Sequence, residues 1–246
     1  MYDLVIILPT YNELENLKKL LPIIMSTFRK MQIKGGVLVV DDNSPDGSGD
    51  YVEQLIPRLT NREFFIKLLR RPGKLGLGTA YVQAYDKVIK EIPVKFVLGM
   101  DADFSHDPKY LPEMYKALTH NDMVIGSRYV PGGGTRNWSW IRRMVSRMGG
   151  LYSKMLLWWT INDPTTAFTG FRVDALKRLD YHKITAVNYG FNIEMKYQAW
   201  KKKFKFQEVP IIFADRVAGK SKFSSKIFSE GIINTFLIRF KYRNYK

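Results

Sequence analysis

Residues 3–13 read DLVIILPTYNE. Residues 3–8 are an aliphatic, β-branched run without polar alternation, the pattern of a strand buried on both faces of a parallel sheet. Pro9 has no N–H for a neighbouring strand and is expected to stop the ladder. Working outward, residues 36–40 (GVLVV), 64–69 (FFIKLL) and 96–100 (FVLGM) repeat the run. Residues 13–29, 49–59 and 78–90 lie between them as helical stretches long enough to serve as crossovers. This alternation predicts an α/β fold: a doubly wound, Rossmann-like, mostly parallel sheet with helices on both faces and ligands at the carboxyl ends of its strands.

Further along, residues 123–126 predict another strand, and residues 130–135 (VPGGGT) a loop. From 139 to 159 apolar residues recur at helical spacing: Ile141, Met144, Val145, Met148, Leu151, Tyr152, Met155, Leu156 and Trp159. A last basic helix is expected over about residues 224–242, carrying Ile227, Phe228, Ile232, Ile233, Phe236, Leu237 and Phe240. Repeats, low-complexity tracts and linkers are absent from the sequence, so residues 1–246 are read as a single domain.

The 246 residues include no cysteine, which excludes catalytic thiols and cysteine-based zinc sites. No run approaches the ~18 apolar residues of a membrane span, and the amino terminus enters a strand without a signal-like core. The expectation is a cytoplasmic protein, soluble or peripheral on the cytosolic face of a membrane. The formal net charge is +16, from 39 Lys+Arg against 23 Asp+Glu. Residues 1–123 hold 16 of each sign, so the whole excess lies in residues 124–246, with 23 basic and 7 acidic residues. A nucleic-acid-coating protein is not expected to divide in this way.

Three acidic clusters follow three of the predicted strands. In MDADFSHDP, residues 100–108, Asp101 and Asp103 stand where the chain leaves a strand, and their hard oxygens suit Mg²⁺ or Mn²⁺ held together with substrate phosphates. A lone D-x-D also occurs as a helix cap, a role that Asp107 before Pro108 fits as well. His106 reads as a loop histidine bonded to backbone rather than as a ligand. In PTYNE, Tyr11 offers a ring for a base and Glu13 acceptors for base or ribose, or the segment is simply a turn and a helix start. In VDDNSPDGS, residues 40–48, Asp41 and Asp42 stand where a ribose or base is read, within an Asx-rich turn. Neither GxxxxGK[ST] nor GxGxxG is present, so P-loop and dinucleotide chemistries are unsupported. GKLGLG, residues 73–78, is left as a loop able to meet a nucleotide through its backbone. Arg128 in GSRY, and Arg216, Lys220 and Lys222 in DRVAGKSK, either bind phosphate or lie on a solvated surface.

Taken in order, PTYNE, VDDNSPDGS, GLGTAY, MDADFSHDP, GSRY and DRVAGKSKF resemble the dolichyl-phosphate (polyprenyl-phosphate) mannose synthases, family 2 glycosyltransferases of GT-A fold. The resemblance runs from about Tyr2 to Leu237 and is closest to catalytic subunits without fused membrane helices. It implies inverting transfer of mannose from GDP-mannose to the phosphate of dolichyl or another polyprenyl phosphate. By motif match, Pro9, Tyr11, Glu13, Val40 and Asp42 hold the guanosine, and Asp101, Ala102 and Asp103 the metal and diphosphate, with Asp101 and Asp103 as metal ligands. Arg128, Arg216 and Lys222 meet phosphates and, with Asp103, carry catalysis. Arg142 and Ser146, four apart on one helix face, match the acceptor-phosphate clamp. The glycine-rich loop before Trp138 and FTGFR at residues 168–172 depart from the family's usual pattern.

The chemistry agrees with such an acceptor. A phosphate monoester has a second pKa of about 6 and reaches the site already a dianion, so no general base is required. The isoprenoid tail needs an apolar surface, for which the 141–159 stripe, the tryptophans 138, 140, 158 and 159 at its ends, and the last helix are candidates, with core packing as the competing role. The same surface suits a small membrane-anchoring subunit. Competing functions are glucose transfer from UDP-glucose to the same lipid, or a non-catalytic basic module that binds membrane or nucleic acid.

Overall fold

A computed structural model describes residues 1–184, 186, 189–215, 225–243 and 245. The chain runs β1 (Tyr2–Thr10), α1 (Leu14–Met31), β2 (Gly35–Asp41), α2 (Ser48–Leu59), β3 (Phe64–Arg70), α3 (Leu77–Glu91), β4 (Val94–Gly99), α4 (Leu111–His120) and β5 (Met123–Ser127). It continues through β6 (Gly134–Arg136), α5 (Trp140–Leu157), β7 (Thr169–Arg172), α6 (Val173–Leu176), α7 (Tyr189–Lys201), β8 (Phe206–Pro210), β9 (Ile212–Ala214) and α8 (Ser225–Lys241). The elements expected from sequence are present with ends shifted by one or two residues, while α4, α7, β7, β8 and the β6–β9 pair carry weaker local signals.

Seven strands form the main sheet in the order β3-β2-β1-β4-β7-β5-β8, parallel except for β7, which runs antiparallel between β4 and β5. Strands from both halves of the chain therefore share one sheet. Alternate residues of β1 serve opposite faces: Leu4, Ile6 and Leu8 pack with α1, α2 and α4, whereas Val5 and Ile7 pack with α3, α7 and α8. This two-sided burial is why the strand sequences are continuously apolar.

The order of connections reverses between β1 and β4. From β1 the chain winds outward through β2 to β3, then returns to place β4 on the other side of β1. Such a switch point opens a crevice at the carboxyl ends of the two strands. Pro9 does not end β1 as expected. Pairing with β4 stops at Ile7 opposite Gly99, but pairing with β2 continues through Pro9 opposite Val40 and Thr10 opposite Asp41. With β4 gone by that point, the missing N–H of Pro9 faces no second strand and costs nothing.

Candidate active site

Three loops enclose the crevice. The first, after β1, is fastened to the second, after β2: the backbone N–H groups of Asn12, Glu13 and Leu14 donate to Ser44 Oγ, Ser48 Oγ and Asp46 Oδ2, each at 3.0 Å. The Glu13 and Leu14 N–H groups are donors that the start of α1 would otherwise leave unpaired. Burial pushes the Asp46 carboxyl up, but bonds from Ser48 and Leu14 outweigh it and hold it below the usual range. PTYNE forms the turn and helix start that was one of its two readings.

Within those loops, Asp41 is buried and accepts from Ser44 N and Oγ, the expected Asx turn. Asp42 meets Arg71 Nη1 at 2.6 Å, and Arg71 Nη2 reaches Thr79 Oγ1. Burial raises the Asp42 carboxyl above its usual value despite the lowering effect of that cation. The ammonium of Lys74 lies 4.7 Å over the Tyr11 ring, so the loop carrying GKLGLG packs over Tyr11. Glu13 Oε2 accepts from Asn16 Nδ2. Val40 is wholly buried in β2, so only its backbone is available to a ligand.

The third loop follows β4. Gly99 leads into it, and a Cβ there would lie 2.8 Å from the Tyr81 ring, so glycine is required for α3 to pack against the strand end. Phe104 takes a left-handed φ of 63°, which turns the chain back until His106 Nδ1 accepts the Asp101 N–H at 3.0 Å. His106 is the backbone-bonded histidine that was expected. Burial lowers its pKa to about 4, so it is neutral, and it stacks on Phe168 with centroids 4.9 Å apart. Asp103 Oδ1 accepts from Ser105 N and Oγ, while Asp101 is more open. Asp107 caps the turn at Pro108 by accepting from Lys109 N.

No cluster of three or more His, Cys, Asp or Glu able to hold a metal occurs among the described residues. Two hard carboxylates at a strand end, completed by substrate phosphates, are nonetheless the donor set that Mg²⁺ and Mn²⁺ favour. The residues present fit such an ion.

Beyond this loop the site is aromatic and basic. Arg128, just past β5, was expected to turn its fork to a phosphate. Its guanidinium instead grips Asp163, with Nε and Nη2 at 2.7 and 2.6 Å, and Nη2 also reaches Thr165 Oγ1 at 2.8 Å. Tyr129, Trp138 and Phe213 wall it in at 5.2, 5.6 and 5.3 Å. Phe213 also touches His106, and Trp138 lies under Arg142, so Arg128 joins the D-x-D loop to α5. Burial pushes the Asp163 carboxyl up, but the charge and hydrogen bonds of Arg128 outweigh it and hold it below the usual range.

Arg142 and Ser146 both face inward from α5. Arg142 Nη1 pairs with Asp215 at 2.9 Å, and Ser146 Oγ shares a hydrogen bond with Tyr129 OH at 2.5 Å. Ser139 starts the helix by accepting the Arg142 N–H. Arg216, Lys220 and Lys222 lie outside the described residues.

The opposite side of α5 is exposed and apolar. Met144, Met148, Leu151 and Met155 lie in solvent, with Trp140 and Trp158 71% and 76% exposed at the two ends. The helix docks instead through Gly150, Ser153 and Leu157, and Trp138 and Trp159 are buried. Core packing therefore does not account for the stripe. On α8, Ile233, Phe236, Leu237 and Phe240 form a second exposed apolar row at helical spacing. Arg143 and Arg147 flank the first row. No described helix is long and apolar enough to cross a membrane.

The family profile described as Glycosyl transferase family 2 matches residues 5–180. The chain belongs to this glycosyltransferase family. It is 37% identical over 228 residues to an undecaprenyl-phosphate mannosyltransferase of Micrococcus luteus, covering 93% of this chain and 90% of that protein. Against a polyprenol monophosphomannose synthase of Mycolicibacterium smegmatis the identity is 36% over 228 residues, covering 92% and 83%. Its fold is similar to that of glucosyl-3-phosphoglycerate synthase from Mycobacterium tuberculosis, solved with Mn²⁺, UDP and glucosyl-3-phosphoglycerate. That match has a TM-score of 0.67 and 14% identity, and covers 97% of this chain and 80% of the other. The same enzyme solved with Mg²⁺ and UDP matches at a TM-score of 0.66 and 15% identity, covering 97% and 79%. The glycosyltransferase thus has the GT-A fold that its motifs imply.

Sequence reading of this glycosyltransferase did not find Asp163, Arg71 or Lys196. Asp163 carried one signal: it is among only 7 acidic residues in the basic half.

Proposed function

We propose that the protein transfers mannose from GDP-mannose to the phosphate of a polyprenyl phosphate, dolichyl phosphate or a bacterial counterpart, in one inverting displacement. The observation that carries this reading is the continuity of the Arg128 box. It joins an acidic crevice suited to a nucleoside diphosphate to an α5 face that carries Arg142 and Ser146. The two relatives above 35% identity, both named for polyprenol-linked mannose transfer, support it.

In this reading Tyr11, Glu13, Asp42 and the backbone at Pro9 and Val40 hold the guanosine. Asp101 and Asp103 hold Mg²⁺ or Mn²⁺, which when bound supplies positive charge to the diphosphate. Ala102 lines the same turn. Arg142 and Ser146 take the acceptor phosphate and aim one of its oxygens at the anomeric carbon. Arg128 sets the field between the two substrates, and Arg216 and Lys222 offset the charge of the departing GDP. Catalysis is positioning and electrostatics, without a general base, because the acceptor oxygen is already anionic near neutral pH.

The exposed apolar rows of α5 and α8, flanked by arginines, bring the protein to the cytosolic surface of an anionic membrane, where the isoprenoid chain is held. A small membrane-anchoring subunit would dock on the same rows. Nucleic acid is not a partner in this reading.

The test is transfer of labelled sugar into a chloroform-extractable, acid-labile product, run in parallel with GDP-mannose and UDP-glucose and a polyprenyl phosphate acceptor. Product from GDP-mannose alone is expected. Product only from UDP-glucose moves the donor assignment, and label in a water-soluble polymer defeats the reading.

A further inference from the structure

Residues 162–166 connect α5 to β7 and are gripped from two sides. Glu208 on β8 accepts from Asn162 N at 3.0 Å, Asn162 Nδ2 at 2.7 Å and Asp163 N at 3.1 Å. Lys196 on α7, only 1% exposed, donates its Nζ to the carbonyl oxygens of Pro164 at 3.0 Å and Thr166 at 2.7 Å. A carboxylate therefore takes the turn's N–H groups and an amine takes its carbonyls. Between them, Asp163 directs both oxygens at Arg128 and also accepts the Arg128 backbone N–H at 2.9 Å.

A lysine in this position is costly. Methionine would fill a similar volume without the desolvation penalty of an ammonium group, yet would take from the buried Pro164 carbonyl its bond to Lys196 and leave the Thr166 carbonyl only the 3.3 Å bond from Thr169 Oγ1. Burial lowers the Lys196 pKa to about 7, opposed by Asp163 and Glu208 and assisted by Arg128. Once neutral, an amine has two hydrogens to give, which matches the two carbonyls it faces. The arrangement fixes the turn through both its N–H groups and its carbonyls.

We infer that Lys196 is a positioning residue for the transfer proposed above: by holding the carbonyls of Pro164 and Thr166 it fixes the turn that presents Asp163, and so sets the direction of the Arg128 guanidinium. The inference rests on the reading of Arg128 as a group that faces the substrates. Lys196 acts through Asp163 and makes no contact with the reacting atoms. Its effect belongs to orientation, where a displacement of about 1 Å costs on the order of 10²-fold in rate.

The experiment compares the full-length protein with Lys196→Met, Arg128→Lys and the double variant. For Lys196→Met, kcat for mannosyl transfer is expected to fall about 10²-fold, with KM for GDP-mannose within about twofold of the parent. The double variant is expected to be no slower than Arg128→Lys alone, because both changes remove one orientation. A kcat within about twofold of the parent in folded Lys196→Met overturns the inference, as do losses that multiply in the double variant. If Lys196→Met does not fold, Glu208→Gln loosens the same turn from its other side and is expected to show the same loss in kcat alone; full turnover there overturns the inference. A second readout needs no activity. The Arg128 Nε–H signal, identified by its absence in Arg128→Lys, is expected to exchange with solvent about tenfold faster in Lys196→Met. Unchanged exchange overturns the positioning role even if transfer proves to use another sugar. Failure of the parent to transfer mannose defeats the proposed function and leaves the exchange result to decide on Lys196.

Discussion

The Arg142 guanidinium lies 4.0 Å from the centre of the Trp138 indole and at the same time reaches Asp215 at 2.9 Å. The stack holds the plane of the fork and the carboxylate holds its direction, so two partners fix the cation in place. Trp138 in turn borders Arg128, and the two arginines share one aromatic wall.

Lysine at position 142 keeps the charge but loses both the flat stack and the fork. Arg142→Lys is expected to raise KM for polyprenyl phosphate about tenfold, corresponding to a cation–π and fork loss of roughly 1–2 kcal/mol, while KM for GDP-mannose stays unchanged. Initial rates measured while each substrate is varied in turn check this. A rise confined to GDP-mannose would place Arg142 on the donor side instead.

Asp103 accepts from Ser105 N and Oγ. Asparagine preserves an oxygen acceptor of the same shape but removes the negative charge. Asp103→Asn is expected to cut transfer by at least about 10²-fold with little change in the unfolding midpoint. Titration of Mn²⁺ in the presence of GDP reads the lost metal site directly, and EDTA treatment of the parent should reproduce the loss until Mg²⁺ or Mn²⁺ is restored.

Met148 and Met155 are exposed on the outer face of α5. Exposed positions tolerate charge, so Met148→Glu with Met155→Glu should leave the unfolding free energy within about 1 kcal/mol of the parent. Co-sedimentation with vesicles containing anionic phospholipid is expected to fall several-fold, through lost apolar burial and added repulsion. Unaltered vesicle binding would detach the exposed rows from membrane recruitment.

Lys196 also predicts a pH dependence of stability. In the unfolded chain its amine titrates near 10.5, in the fold near 7, owing first to burial and then to the balance of Asp163, Arg128 and Glu208 around it. Between those values the unfolded state holds a proton that the fold does not. This site therefore makes stability rise with pH across the interval, and its full penalty is present below pH 7. Denaturant unfolding at pH 7 and pH 9 should show that rise in the parent, and Lys196→Met should show less of it.

The strand runs, the crossover helices and the acidic ends of β1, β2 and β4 are legible in the chain because each is a local pattern. A strand buried on both faces is continuously apolar, and the group that meets a ligand sits where the run stops. Tyr11, Asp42 and Asp101 could be placed at the ends of their strands on that ground alone. The His106 bond was legible as well, since a histidine close after a strand end has backbone within reach.

What the sequence did not carry are relations between residues far apart. β7 is four residues long and enters the sheet backwards between β4 and β5, a place decided by its two neighbours rather than by any pattern of its own. Arg128 meets Asp163 across 35 positions, and Lys196 meets Thr166 across 30. Nothing in either segment names its partner. The periodicity of α5 likewise predicted a helix with an apolar stripe but not which side would be covered. The layered α/β scaffold and its acidic crevice follow from local pattern, because hydrophobic period and strand ends are properties of neighbours along the chain. That the α5 stripe faces outward and that Arg128 is held by a buried carboxylate emerges from long-range packing, because burial and charge pairing depend on what the rest of the fold brings alongside.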